Sequence, residues 1–118
     1  MGNKELSNIQ VQLRQFAAKR DWDKFHSPKN LSMALSVEAS EIVEHFQWLT
    51  EKQSHELSPL ELESVELELA DAFIYMIRLA DKLNVDLIAA ATKKMSINET
   101  KYPVDRVHGS AKKYTEYE

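Results

Sequence analysis

The chain of 118 residues has 43% hydrophobic and 29% charged side chains, two Gly, three Pro and no Cys. This suits a single domain over 1–118 and excludes disorder, a turn-rich all-β fold, disulfides and thiolate metal sites. The net charge of −4 hides an acidic body followed by a basic stretch over 93–113, formed by Lys93, Lys94, Lys101, Arg106, Lys112 and Lys113. An acidic body of this kind is not that of a duplex nucleic-acid binder. No apolar run approaches the ~18 residues of a membrane helix, and no secretory leader is visible. The expectation is a cytoplasmic protein with no membrane and no nucleic-acid partner.

The first apolar pattern, Leu6, Ile9, Leu13, Phe16 and Ala17, steps by three and four and predicts a helix ending near Arg20. Asp21 to His26 has no stripe and reads as a loop. Ser27-Pro28 is a helix start, because Ser caps free N–H groups and Pro lacks the one that would go unpaired. The second helix is expected over 28–49, followed by a polar stretch over 50–57. Ser58-Pro59-Leu60-Glu61 has the capping-box spacing and opens a third helix reaching about Leu83. Asn84 is a stop, and Asp86 caps a fourth helix over about 87–98. Pro103 and Gly109 predict a mostly irregular tail. The class is all-α, a four-helix bundle with short connections.

Four carboxylates interrupt this pattern. On the second helix, Leu31, Leu35, Ile42, Phe46 and Leu49 share one face, and Glu38 falls with them where another Leu is expected. Glu41, three residues on, is its neighbour. The third helix is apolar nearly all round from Leu67 to Ala80, which predicts burial on most sides. Its narrow polar sector holds Glu68, Asp71 and Tyr75, with Ser64 and Arg78 beside it. A lone Glu-x-x-Glu is common on solvated helices. Two such pairs, Glu38/Glu41 and Glu68/Asp71, suit a hard cation, Mg²⁺ or Mn²⁺. A di-iron centre needs Glu-x-x-His, and Ile42 stands three residues before His45.

The remaining singular residues admit two readings. Trp22 and Trp48 are either core or interface plugs, or stacking walls for a base. Lys94 and Asn98 lie four apart and offer a phosphate contact and a hydrogen-bonding amide. His26 either caps and packs or meets a ligand.

The order Arg20-Asp21-Trp22, Phe25-His26-Ser27-Pro28-Lys29-Asn30-Leu31, Glu38-x-x-Glu41, Phe46-Gln47-Trp48, Glu68-x-x-Asp71 with Tyr75, Lys94-Met95-x-Ile97-Asn98 and Lys101-Tyr102-Pro103 resembles the MazG-like nucleotide pyrophosphohydrolases, in their dCTP pyrophosphatase branch. The likeness runs over about residues 5–117, including Lys113-Tyr114-Thr115-Glu116. It implies magnesium ligands at Glu38, Glu41, Glu68 and Asp71. It implies a nucleoside loop at Trp22, Asp23, Lys24, Phe25 and His26, a second aromatic wall at Trp48, and substrate contacts at Tyr75, Lys94 and Asn98. Glu41 and Glu38 are the implied catalytic carboxylates, with Glu41 as the proton acceptor. The implied reaction takes a nucleoside triphosphate to the monophosphate and pyrophosphate. The implied assembly is a homo-oligomer, a tetramer built as a dimer of dimers. Leu13 departs from the branch, which has a His there, so a broader dNTP range is expected. The alternative is a non-catalytic oligomerisation or nucleotide-sensing module.

Overall fold

Each long helix starts at a side chain that takes up a free backbone N–H. Over residues 3–109, the part of the chain that the computed structural model describes, Asn3 caps α1 (Lys4–Lys19), Ser27 caps α2 (Pro28–Glu44) and Thr50 caps α3 (Glu51–Ser54). Ser58 then caps α4 (Pro59–Lys82) and Asp86 caps α5 (Leu87–Lys101), while α6 (Val104–Val107) follows Pro103. No strand occurs among the described residues. Residues 110–118, with Lys112, Lys113 and the Lys113-Tyr114-Thr115-Glu116 segment, lie outside them.

α1 and α4 end alike. Asp21 and Asn84 take the left-handed conformation (φ 55° and 56°). The next N–H reaches back to the helix, Trp22 to the Ala17 carbonyl at 2.9 Å and Val85 to the Ala80 carbonyl at 2.8 Å. This C-terminal motif usually employs Gly, and Asp and Asn are the side chains that tolerate it best. It reverses the chain sharply after α1. A 3₁₀ turn over Asp23–Phe25 then leads into α2, and the Asn30 side-chain amide donates to the Phe25 carbonyl at 3.0 Å, holding that turn to the helix.

Three boundaries differ from the sequence expectation. α2 ends at Glu44, not Leu49, and continues as a run of tight turns in which Phe46 N–H bonds the Val43 carbonyl and Leu49 N–H the Phe46 carbonyl. Phe46 and Leu49 remain partly buried. Tight turns of this kind repeat about every three residues, so a spacing of three does not distinguish them from a helix. The polar stretch contains α3, set by a reciprocal capping box between Thr50 and Gln53 and too short to show a stripe. The stretch expected to be irregular after Asn98 is ordered first by α5 reaching Lys101 and then by α6. Pro103, which has no N–H to donate, separates the two.

α4 is the spine. α2 packs along it and α1 packs against it. The side chains sealed between them are Ala17, Leu31, Val65, Ile77 and Ala80, a small core for this length. The Cα radius of gyration is 17.9 Å, against about 13.5 Å for a compact chain of this size. The apolar girdle of α4 is not covered within one chain. Leu67 is 63% exposed and Phe73 47%, with Leu69 and Met76 also open. The expected burial on most sides therefore fails for the isolated chain, because α1 and α2 reach only part of the α4 surface.

Asp81 fastens α1 to α4. It accepts two bonds from the Arg14 guanidinium, both at 2.6 Å, and one from the Gln10 amide at 2.8 Å. Hydrogen bonding from Arg14 holds its carboxyl below the usual range despite burial. Asp81→Ala should cost about 2 kcal/mol in chemical denaturation. The contribution of this carboxylate is complete above its unfolded-state pKa and disappears as pH falls toward its lowered folded-state pKa. The stability gap between wild type and Asp81→Ala should therefore close only below about pH 4.

Candidate active site

Glu38 and Glu41 project from α2 and Glu68 from α4, and they meet where the two helices pack. One carboxylate oxygen from each lies within 4.8 Å of the others. All three side chains are partly buried. Oε2 of Glu38 and Oε2 of Glu68 are sealed from water and have no hydrogen-bond partner among the described residues. Burial, then a hydrogen bond with Glu41 and the charges of Glu41, Asp71 and Glu68, pushes the Glu38 carboxyl up to about 7. A hydrogen bond with Glu41 is the main cause of the rise at Glu68, with burial next. His45, with Nε2 4.0 Å from the Glu68 carboxylate, opposes that rise.

Such a trio is unfavourable by itself, since like charges are forced together and two acceptors go unsatisfied. Buried oxygens with nothing to accept from, in an all-oxygen donor set, fit a hard divalent cation. Glu38, Glu41 and Glu68 would hold it. Asp71, one turn along α4, is exposed and stands outside the trio, although its charge raises both Glu38 and Glu68.

Asp71 also lines a cavity of about 340 Å³, together with Leu13, Phe16 and Ala17 of α1, Trp22 and His26 of the loop, and Ile74, Tyr75 and Arg78 of α4. The acid cluster and this cavity are therefore neighbours along one helix. Glu68, Asp71, Tyr75 and Arg78 succeed one another at steps of three and four, spanning about 15 Å of the α4 axis. The cavity wall is aromatic. Phe16 and Trp22 meet edge to face at 5.8 Å, and the Arg20 guanidinium lies 3.5 Å above the Phe16 ring.

The expected substrate residues divide into two groups. Trp22, His26 and Tyr75 reach the cavity. Asp23 turns to α4 and accepts from Lys82 at 2.7 Å and Arg78 at 3.0 Å, and these bonds, Lys82 first, hold its carboxyl below the usual range. Lys24 pairs with Asp21 at 2.8 Å and lies over the Phe25 ring, which is itself exposed. Trp48 is 86% exposed. Lys94 and Asn98 are exposed on α5, and none of these three lines the cavity. The sequence reading did not select Phe16, His45 or Arg78. Arg78 had a signal, a cation seven residues after Asp71 in a helix otherwise apolar there.

The sequence profile of the MazG-like family matches residues 33–117. The dCTP pyrophosphatase 1 of Homo sapiens is 42% identical over 113 residues, covering 94% of this chain and 66% of that protein. The Bos taurus protein of the same name is also 42% identical, over 94% of this chain and 67% of its own. The chain thus spans about two thirds of the length of these curated relatives. A crystal structure of a pyrophosphatase from Archaeoglobus fulgidus superposes with a TM-score of 0.81 at 36% identity, covering 87% of this chain and 96% of that one.

Relieving the acid cluster should stabilise the metal-free protein. The Glu38 penalty is absent below its unfolded-state pKa, grows as pH rises, and is complete above its folded-state value of about 7. With divalent cations chelated at about pH 8, Glu38→Gln should raise the melting temperature by about 5 °C. The gain should shrink toward about pH 5. Addition of Mn²⁺ should reverse the order, stabilising wild type and not the variant.

Proposed function

This chain belongs to the MazG-like family, and from that membership we propose that it hydrolyses deoxynucleoside triphosphates, dCTP and related dNTPs, to the monophosphate and pyrophosphate. It acts as a single domain over 1–118 in the cytoplasm, where it removes surplus or damaged nucleotides. The observation that carries this reading is the junction at Asp71 of an acid cluster with an aromatic cavity. A triphosphate with its counter-ion suits the first and a base the second. No helix among the described residues is long and apolar enough to cross a membrane.

Glu38, Glu41 and Glu68, with Asp71 completing the set, would hold Mg²⁺, and Mn²⁺ would substitute. A bound divalent cation supplies charge neutralisation for the triphosphate and lowers the pKa of a water. Glu41, which neighbours both Glu38 and Glu68, accepts the proton of the attacking water as general base. Glu38 is the second catalytic carboxylate. Tyr75 and Trp22 bracket the nucleoside, with Phe25 and the Trp22–His26 turn closing over it. Leu13 gives the cavity an apolar wall, which discriminates weakly between bases and widens the dNTP range.

The active assembly is a homo-oligomer, a tetramer arranged as a dimer of dimers. The open girdle of Leu67, Leu69, Phe73 and Met76 supports this, since an apolar face of that kind is rarely left to water. Trp48, Lys94 and Asn98 complete the cleft from another subunit. Lys94 holds phosphate charge, Asn98 hydrogen-bonds the nucleotide and Trp48 adds the second aromatic wall.

Purified protein with Mg²⁺ should release pyrophosphate from dCTP and at least one other dNTP. Glu38→Gln should lower the rate by about 10²-fold or more while keeping its helical circular dichroism spectrum. Failure to release pyrophosphate from any dNTP, with any divalent cation, would overturn the reading in favour of a non-catalytic module. Sedimentation should give a mass near four chains, and Phe73→Glu should reduce it.

A further inference from the structure

Arg78 is the most deeply buried charged group among the described residues, 4% exposed, and the function proposed above gives it no role. Its Nη2 donates to Asp23 Oδ1 at 3.0 Å and lies 3.2 Å from Nδ1 of His26. A guanidinium has only N–H donors and stays charged at all working pH values. In that contact, then, Nδ1 of His26 is the acceptor and carries no proton. A neutral imidazole has one N–H, so the proton sits on Nε2. Nε2 makes no hydrogen bond among the described residues, and His26 lines the aromatic cavity.

We propose that Arg78 is a positioning residue that fixes His26 as the neutral Nε2–H tautomer, so that this ring N–H donates to an acceptor atom of the nucleobase in the cavity. The opposite tautomer or the imidazolium would set an N–H of the ring against an N–H of the guanidinium. Burial, followed by the charge of Arg78, holds the imidazole below its ordinary range, in keeping with the neutral form. Asp23 at 3.0 Å and Asp81 at 3.7 Å keep Arg78 in place. Asp23 takes one of the two N–H groups of Nη2, which leaves the other to face the ring. The acceptor on the ligand is a ring nitrogen or carbonyl oxygen of the base, because Phe16, Trp22 and Tyr75 around it are stacking partners and not phosphate ligands.

The inference rests on the nucleotide reading for its ligand but not for its tautomer, and the experiment separates the two. In ¹H–¹⁵N spectra of wild-type protein at neutral pH, His26 should show a protonated Nε2 and a bare Nδ1. Addition of dCMP, which cannot be hydrolysed to pyrophosphate, should shift the Nε2–H correlation. Arg78→Gln, whose amide can donate or accept, should let the proton distribute over both nitrogens. It should also raise KM for dCTP about three- to tenfold, more than it lowers kcat. If that variant does not fold, the wild-type spectra alone decide. A wild-type ring protonated on Nδ1 or averaged between tautomers overturns the proposal, as does an Nε2–H signal that dCMP leaves unmoved. A fixed, dCMP-responsive Nε2–H in a protein that releases no pyrophosphate removes the proposed reaction and leaves the role of Arg78 standing.

Discussion

Three carboxylates held within one ion's reach are the constraint that organises this structure. Glu38, Glu41 and Glu68 come from two helices whose packing is the main tertiary contact of the chain. The apolar stripe around Glu38 drives α2 onto α4, and the same packing brings the charges together. Apolar burial therefore holds in place a repulsion that the unfolded chain would relax. Strain of this kind is tolerated where a ligand relieves it, which is why strongly raised carboxyls cluster at functional sites. The orphaned Oε2 atoms of Glu38 and Glu68 are the acceptors that such a ligand would satisfy.

α4 carries this constraint to the rest of the site. Its polar stripe begins with an anion, Glu68, and passes through Asp71 and Tyr75 to the cations Arg78 and Lys82. The acid end faces α2 and the basic end faces the loop after α1, where Asp23 receives both cations. The loop is therefore anchored to the helix that supplies the acids, so the aromatic cavity and the acid cluster share one rigid frame. The sharp left-handed turn at Asp21 is what lets Trp22 fold back against Phe16 as the cavity wall.

The small core and the open girdle of α4 have one cause. A chain that sends its third long helix along α2 and α1 covers one side of it only, and α5 makes little contact with the rest. Leu67, Leu69, Phe73 and Met76 are left exposed. Trp48, Lys94 and Asn98 are likewise exposed and lie apart from the cavity.

Much of this was legible in the sequence because it is local. Ser27-Pro28, Ser58-Pro59 and Asp86 start helices through bonds that span three residues, and Asn84 ends one through its own backbone conformation. Glu38 was conspicuous because it breaks a stripe, and a stripe is a local pattern. What depended on distance was not legible. Residues 46–49 repeat like a helix but wind as tight turns, a difference of hydrogen bonding and not of spacing. Arg78 gives no sign in sequence that it lies against His26, 52 residues earlier. Nor does the sequence say that Asp71 lines the cavity while Glu68 joins the trio, although both stand on one face of one helix. The sequence determined which side chains are out of place along each helix. Only the tertiary structure decided which of them meet, because the packing angle and register of α2 on α4 are set by the whole interface and not by any one segment.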